Sequence, residues 1–531
     1  MAAPGATHTT VGRGPGAVTV TELLNALPRE ALSGSSVPVP EGVGRTQATG
    51  VIYDSRKALP GTVFVAVRGQ HADGTTFTPQ AVARGAAVVI AEEPPRVDVP
   101  APWVQVGDAR LALALLADRY FAHPSGDLSV VAITGTNGKT TTAYLLRAAF
   151  EAAGHRCGLM GTVSYSLGDE EREATRTTPE APDMQAMLRV MADRSCRAAV
   201  MEVSSHALAL RRVDGTRFAA GVFTNLTRDH LDFHRDMEAY AIAKRRLFEI
   251  LPEGAPGIVN ADDPRAPMFI EAARQPVTYA VRRPADVSPG PLTLTLNGLR
   301  FEARTPAGAV QIGSPLVGRP NVYNILAAVA TGVALGLPPQ AIEAGIAGLT
   351  GVPGRFEVVS SAEDDVTVVV DYAHTDDALK NLLETVRGLS PRRVITVFGC
   401  GGDRDRTKRP LMGAVAGRMS DVVIVTSDNP RSEDPSAIID EVMRGMPQPS
   451  ERTVQSGTER RVIHGPEAMA IVDRRAAIER AVDLGEAGDL VVLAGKGHEK
   501  VQVIGDRSHR FDDVEVAREA LARRRSRQRV G

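Results

Sequence analysis

The chain has 531 residues, too many for one core of ordinary size, so about three domains are expected. Hydrophobic residues make up 43%, aromatics only 4%, and the formal net charge is −2, which argues against a general nucleic-acid binder. No basic stretch leads into an apolar one near Met1, and no run of about eighteen apolar residues occurs, so neither a signal peptide nor a membrane span is expected. The three cysteines, Cys157, Cys196 and Cys400, are too scattered for a zinc site or a disulfide framework and read as reduced thiols of a cytoplasmic protein.

Residues 1–17, rich in Gly, Thr, Ala and Pro, are expected to be disordered. Residues 18–127 read as a small α/β domain. Its apolar runs Thr62–Val67, Ala86–Ala91 and Trp103–Val106 alternate with helical stretches at Pro79–Arg84 and Ala109–Ala122. His123-Pro-Ser-Gly-Asp127 is the expected linker.

Residues 128–354 open on the most informative stretch. An apolar run, Leu128 to Ile133, enters the turn Gly135-Thr-Asn-Gly-Lys-Thr-Thr141, and a helix starts after Lys139. Backbone N–H groups at such a helix start favour anions, Lys139 can neutralise a phosphate, and Thr140 can hold Mg2+. The spacing departs from the common phosphate loop, which would need glycine where Ile133 stands. Further strands are expected at Ala198–Val203, Ala219–Thr224 and Gly257–Val259, with a helix at Met237–Ile250 and a hairpin turning at Asn297-Gly298. Glu202, at a strand end, suits either a metal ligand or a turn cap. His230, in the polar cluster Phe223 to His234 after the next strand, is a candidate metal ligand. From helix pattern alone, Lys244 would lie on the surface. Asn321 to Leu335 reads as a helix; Asn321 can cap it, which leaves Asn324 unexplained.

Residues 355–531 alternate strand and helix again: Val366–Val370, Asp376–Arg387, Val394–Phe398, Lys408–Met419, Val422–Thr426, Arg474–Leu484 and Leu490–Leu493. Such alternation implies parallel sheets with ligands at the carboxyl ends of the strands. Three loops there carry charge: Gly399–Asp405, Asp428-Asn-Pro-Arg431 and Gly495-Lys-Gly-His-Glu499. Arg404 and Arg431 can fork onto carboxylates while Glu499 pairs with an ammonium, which suits a zwitterionic, amino-acid-like ligand. The basic tail Arg523 to Arg529 reads as a frayed, solvated helix end.

In this order the motifs resemble those of the Mur ligases, from Asp54-Ser-Arg56 to Gly495–Glu499; the short phosphate loop is also similar to that of folylpolyglutamate synthetases. The resemblance implies a three-domain α/β protein: a small N-terminal domain for a UDP-sugar, a central P-loop ATPase domain with a mostly parallel sheet, and a Rossmann-like C-terminal domain for an amino acid. It implies ATP bound by Gly135, Thr136, Asn137, Gly138, Lys139, Thr140 and Thr141, completed by Asn324, Arg355 and Asp371. Mg2+ would be held by Thr140, Glu202 and His230, with Lys244 as a carbamate; Lys139, Lys244, Glu202 and His230 would serve catalysis. Ser55, Gln70, His71, Ala72, Thr177, Thr178, Ser204 and Arg212 would contact the UDP-muramoyl-dipeptide. Arg404, Asp428, Asn429, Pro430, Arg431, Gly495 and Glu499 would bind the amino acid. Because Arg431 stands where the diaminopimelate-adding members have an arginine, the resemblance implies a ligase joining diaminopimelate to UDP-MurNAc-L-Ala-D-Glu, acting on small molecules as a cytoplasmic monomer. A lysine-adding or folylpolyglutamate-type ligase, or a non-catalytic ATP-binding switch, are the alternatives. Two departures stand out: Leu210 replaces a substrate-contacting glutamine of some members, and Asp376 replaces a proline at a helix start.

Overall fold

The computed structural model describes residues 18–28, 39–69, 72–95, 99–447, 452–456, 459–463 and 466–530. The expected disorder of residues 1–17 and the expected roles of Gln70 and His71 lie outside them. Three α/β portions follow one another along the chain, each built on a largely parallel sheet.

The first sheet runs Gly50–Ile52, Thr62–Val65, Val88–Ala91, Trp103–Gln105, all parallel. Helix Ala109–Tyr120 packs across it, with Leu113 and Leu116 in the same core as Val63, Val65, Val88 and Ile90. Ala122 and His123 then take left-handed backbone angles (φ 57° and 51°) before a short 3-10 turn at Pro124–Gly126, which reverses the chain into the next portion.

The central sheet has eight strands, in the order Gln275–Tyr279, Pro256–Asn260, Ala220–Phe223, Ser129–Thr134, Ala198–Glu202, Cys157–Met160, Ser164–Ser166, Glu171–Glu173. The first six are mutually parallel and the last two antiparallel. Its inner strands are buried on both faces, which is why Val130–Ile133 reads as an unbroken apolar run rather than an alternating one. Helices Lys139–Ala152 and Arg319–Ala334 cover one face with Pro339–Gly348 beside them. Leu188, Leu247 and Phe269, from three other helices, pack on the opposite face. A separate antiparallel sheet contains the expected hairpin, Thr293–Thr295 against Gly298–Thr305, extended by Gly308–Ser314.

The last sheet runs Glu357–Val358, Thr367–Asp371, Leu490–Ala494, Val394–Phe398, Val422–Val425, Glu467–Ala470, parallel except for the first short strand. The tail corrects its expectation. Helix Asp513–Val530 packs on this sheet through Val514, Val516, Ala517 and Leu521. Arg524 forks onto Asp365 at 2.6 and 2.8 Å, and Arg525 binds Asp364 at 2.5 Å. Those two arginines are clipped to the domain because acids of a neighbouring loop meet them; they are not a frayed end. Among the described residues, no helix is long and apolar enough to cross a membrane. All three cysteines are free and buried.

Candidate functional site

The phosphate-type loop leaves the central strand at Gly135 and enters helix Lys139–Ala152 from Gly138. Both glycines have positive φ, 148° and 86°, and both lack room: a Cβ would come within 1.8 Å of Thr224 Oγ at the first and 2.4 Å of Asn324 Oδ1 at the second. The loop is pinned from the adjoining strand end. Asn137 donates its backbone N–H to Asn225 at 2.9 Å, and its carbonyl accepts from Thr224 Oγ at 2.6 Å. Thr136 is mostly buried, its hydroxyl 3.2 Å from Tyr240, and Thr140 and Thr141 are buried on the first helical turn.

Two lysines converge on one carbonyl. Lys139 Nζ donates to Gly135 O at 2.9 Å and to Thr136 O at 2.8 Å, while Lys244 Nζ donates to Gly135 O at 2.8 Å. Burial lowers the pKa of Lys139; burial, then the Lys139 charge, pulls that of Lys244 far below the usual lysine value. The expectation of a surface Lys244 is therefore wrong, since it is 1% exposed. In helix Met237–Glu249 the buried positions are Tyr240, Ala241, Lys244, Leu247 and Phe248, and Lys244 occupies the apolar stripe itself. That spacing was in the sequence and could have found it.

Glu202 ends its strand almost wholly buried and accepts from Thr162, backbone N–H at 2.8 Å and hydroxyl at 3.0 Å. The same threonine hydroxyl lies 3.1 Å from that of Thr177. Thr178 donates to Glu202 O at 2.9 Å and accepts from Ser204 N–H at 3.0 Å, and Arg212 donates to Thr178 O at 3.0 Å. Thr177, Thr178, Ser204 and Arg212 thus form one cluster beside Glu202. Ser55 instead bonds within the first domain, to Gln80 at 2.7 Å, and Ala72 is exposed there. His230 adopts φ 54°, stands edge-on to His206 at 4.9 Å, and has its pKa pushed down by burial, so the imidazole is neutral. Among the described residues, no group of three or more His, Cys, Asp or Glu side chains is arranged to hold a metal by itself.

The last domain reaches back to this loop. Arg355 donates to Thr140 Oγ at 3.2 Å and stacks over Tyr372 at 4.4 Å. Asp371 ends its strand with its carboxylate accepting from Phe356 and Ala373 N–H at 2.7 and 2.8 Å, and burial raises its pKa. Asn137 meets Asp377 at 3.2 Å, in the first turn of helix Asp376–Gly388. Asn324 is positioned by Asn321, whose side-chain oxygen accepts from it at 2.9 Å.

The three charged loops leave adjacent parallel strands at their carboxyl ends, where α/β sheets place ligands. Arg431 has φ 51°, and its guanidinium donates to Gly402 O at 2.7 Å. Arg404 donates to Asp403 O at 3.1 Å; a Cβ at Gly401 would sit 3.0 Å from Arg431 Nη1 and 3.9 Å from Arg404 Cγ, so the two side chains converge there. Burial and then Arg404 lower the pKa of Arg431. Asn429 donates to Glu499 at 2.8 Å, and Pro430 O closes on Gly402, leaving no space for a side chain. Gly495, with φ 110°, donates its N–H to Asp371 O at 3.0 Å, linking this loop to the strand end that carries Asp371.

Three family models match: the Mur ligase family catalytic domain at 47–121, the Mur ligase middle domain at 133–332, and the Mur ligase glutamate ligase domain at 354–497. The UDP-N-acetylmuramoyl-L-alanyl-D-glutamate–2,6-diaminopimelate ligase of Solibacter usitatus is 47% identical, the match covering 93% of this chain and 97% of that protein. The chain belongs to the Mur ligase family. Another Mur ligase of that name, from Geobacter metallireducens, is 48% identical over 88% of this chain and 92% of its own length. A solved structure of a UDP-N-acetylmuramoyl-L-alanyl-D-glutamate–2,6-diaminopimelate ligase aligns with a TM-score of 0.66 at 33% identity, covering 96% of this chain and 99% of that one. MurF from Acinetobacter baumannii, at 19% identity and a TM-score of 0.61, shares the fold. This Mur ligase therefore has the three-domain α/β architecture the sequence led us to expect.

Four residues that the sequence reading did not assign join the Mur ligase site. Thr162 holds Glu202, Tyr372 lies under Arg355, Asp377 holds Asn137, and Lys496 is fully buried among Asp428, Asn429 and Glu499. Of these only Lys496 carried a signal, as a lone lysine between two glycines after an apolar strand.

Proposed function

We propose that this Mur ligase joins diaminopimelate to the D-glutamyl γ-carboxylate of UDP-MurNAc-L-Ala-D-Glu at the expense of ATP, in peptidoglycan synthesis. On this reading residues 18–127 form the UDP-substrate domain, 128–354 the ATP domain and 355–531 the amino-acid domain of a cytoplasmic monomer. The observation that carries the reading is the convergence of Arg404 and Arg431 at the sheet edge that also carries Glu499, whose loop follows the strand paired with the one ending at Asp371. Two guanidinium groups opposite an acid suit an amino acid with a second carboxylate, and lysine would leave Arg431 unpaired.

A bare carboxylate resists amines, so the substrate carboxylate first attacks the γ-phosphorus of ATP, giving an acyl phosphate and ADP. The neutral amine of diaminopimelate then adds to the acyl carbon, and phosphate leaves from the tetrahedral adduct. Gly135 to Thr141 would hold the phosphates through backbone N–H groups, with Lys139 offsetting charge during transfer. Asn324, Arg355 and Asp371 would complete the nucleotide site. Ser55, Gln70, His71, Ala72, Thr177, Thr178, Ser204 and Arg212 would orient the UDP-dipeptide. The donor set suits Mg2+: the Thr140 hydroxyl and the buried Glu202 carboxylate are hard oxygen ligands, and His230 is neutral. Burial and the Lys139 charge lower the pKa of Lys244, the direction that favours the free amine from which a carbamate forms, and a carbamate would add an anionic oxygen ligand. Bound there, Mg2+ would neutralise charge on the phosphates.

Incubation with ATP, the UDP-dipeptide and meso-diaminopimelate, LL-diaminopimelate or lysine tests the reading. UDP-tripeptide should form with a diaminopimelate isomer and far more slowly with lysine. ATP turnover without any tripeptide overturns it.

A further inference from the structure

Lys496 is 0% exposed, and its ammonium has three acceptors: Asp428 Oδ1 at 3.3 Å, Asn429 Oδ1 at 3.1 Å and Glu499 Oε2 at 3.3 Å. It sits where the Asp428–Arg431 loop meets the Gly495–Glu499 loop. Asn429 is fixed in turn, donating to Glu499 and accepting from Val503 N–H at 3.0 Å, while Gln502 donates to Asp428 O at 2.8 Å.

Lys496 is the cation that hydrogen-bonds both acids of this corner, with other charges farther from them. Arg474 forks onto Asp513 at 2.6 and 2.8 Å while its charge also acts on both carboxylates. Lys408 faces Asp428 and donates to His374 O at 2.8 Å; Tyr372 faces Glu499 and Asp428 and carries no charge. Arg404 and Arg431 donate to the backbone carbonyls of Asp403 and Gly402 and pair with no carboxylate among the described residues. The two acids that hydrogen-bond one ammonium, Asp428 and Glu499, therefore share Lys496 directly. Burial, then the adjacent Asp428, raises the pKa of Glu499, and Lys496 opposes both. Burial also works against ionisation of Asp428, but the Lys496 and Arg474 cations outweigh it and lower its pKa. Without the ammonium, two buried carboxylates this close would share a proton.

We propose that Lys496 is a positioning residue of the amino-acid pocket, holding Asp428 and Glu499 side by side so that both face an ammonium group of the substrate as carboxylates. The inference rests on the amino-acid-binding reading above and adds to it a determinant of which protonation state the pocket presents.

The test compares wild type with Lys496→Met, which fills the space without charge, and Lys496→Gln, which keeps hydrogen bonding without charge. KM for diaminopimelate is measured between about pH 6 and 9, the range around neutrality in which a shared carboxyl proton would titrate. Wild type should be flat in carboxylate-dependent KM, whereas both variants should show KM rising about tenfold per pH unit below the new carboxyl pKa. Saturated kcat and KM for ATP should stay within about twofold of wild type, as expected of a change confined to ground-state binding. Adding Asp428→Asn to Lys496→Met removes the second acid with which a proton could be shared and should flatten the profile. Infrared difference spectra supply a readout independent of turnover: a protonated-carboxyl band should be present near neutral pH in both single variants and absent from wild type and the double variant. A Lys496→Gln variant with a flat profile, or single variants without that band, overturns the proposal. If wild type makes no tripeptide, the substrate reading falls, and the infrared band still decides the role of Lys496.

Discussion

Arg431 combines a left-handed backbone with a half-buried guanidinium, and neighbouring backbone explains both. Its N–H donates to Val503 O at 3.1 Å, and its carbonyl accepts from Gly505 N–H at 2.7 Å, so hairpin 501–510 locks the residue in the one conformation that sends the side chain to Gly402. Replacing it with methionine keeps bulk and removes the fork. We expect Arg431→Met to lose roughly 10²–10³ in kcat/KM for diaminopimelate, the worth of a charge-assisted pair of about 3–4 kcal/mol, while the rate with lysine does not fall. Equal losses with both amines would show that Arg431 supports the loop and does not read the distal carboxylate. At this scale the sequence was uneven. Phosphate-loop glycines and charged strand ends were legible because local spacing alone places them. Thr162 and Tyr372 were not, since their roles come from strands distant in the chain, and Lys244 was misread because its charge outweighed its position in an apolar stripe.

The strands and helices of the last domain were nearly all readable, because buried parallel strands leave continuous apolar runs bounded by polar loops. The C-terminal helix Asp513–Val530 was harder to read, being so rich in arginine that it resembles a solvated tail. What fixes it is Asp513, which with Arg474 makes an ion pair whose side chains are both 0% exposed. Arg474 also donates to Ala494 O at 3.0 Å, so the helix is anchored next to Gly495 of the proposed amino-acid pocket. Asp513→Ala would strand a buried guanidinium and should cost about 3–5 kcal/mol in chemical denaturation. Arg524→Ala breaks a partly exposed pair with Asp365 and should cost no more than about 1 kcal/mol. Similar losses from the two variants would mean that the helix is held by its ends alike and not by the buried pair.

For the whole molecule, the requirement is that nucleotide and amine reach one carboxylate, and the sites proposed for them are joined by a contact of two glycine backbones. Gly354, φ 64°, has no room for a side chain: a Cβ would lie 2.1 Å from His498 N and 2.4 Å from Gly497 C. On one side of that contact the next residue, Arg355, reaches Thr140 of the phosphate loop; on the other, His498 leads into Glu499. Gly354 O also accepts from Tyr372 N–H at 3.0 Å, the ring on which Arg355 stacks. A methyl group at this point must push the two loops apart, moving Arg355 and Glu499 in opposite directions while the three hydrophobic cores stay intact. We therefore expect Gly354→Ala to fold with a lowered unfolding midpoint: left-handed backbone alone costs an alanine about 1–2 kcal/mol, or about 2–8 °C in a domain of 150–250 residues, and the backbone clash adds to that. Tripeptide synthesis should fall by roughly 10²-fold, as misplacement by about 1 Å of groups that must be aligned can do. Water should then compete for the acyl phosphate, so ADP released per tripeptide formed should rise above the wild-type ratio. A folded Gly354→Ala enzyme with an unchanged rate and an unchanged ratio would mean that the two sites are aligned by domain movement and not by this junction.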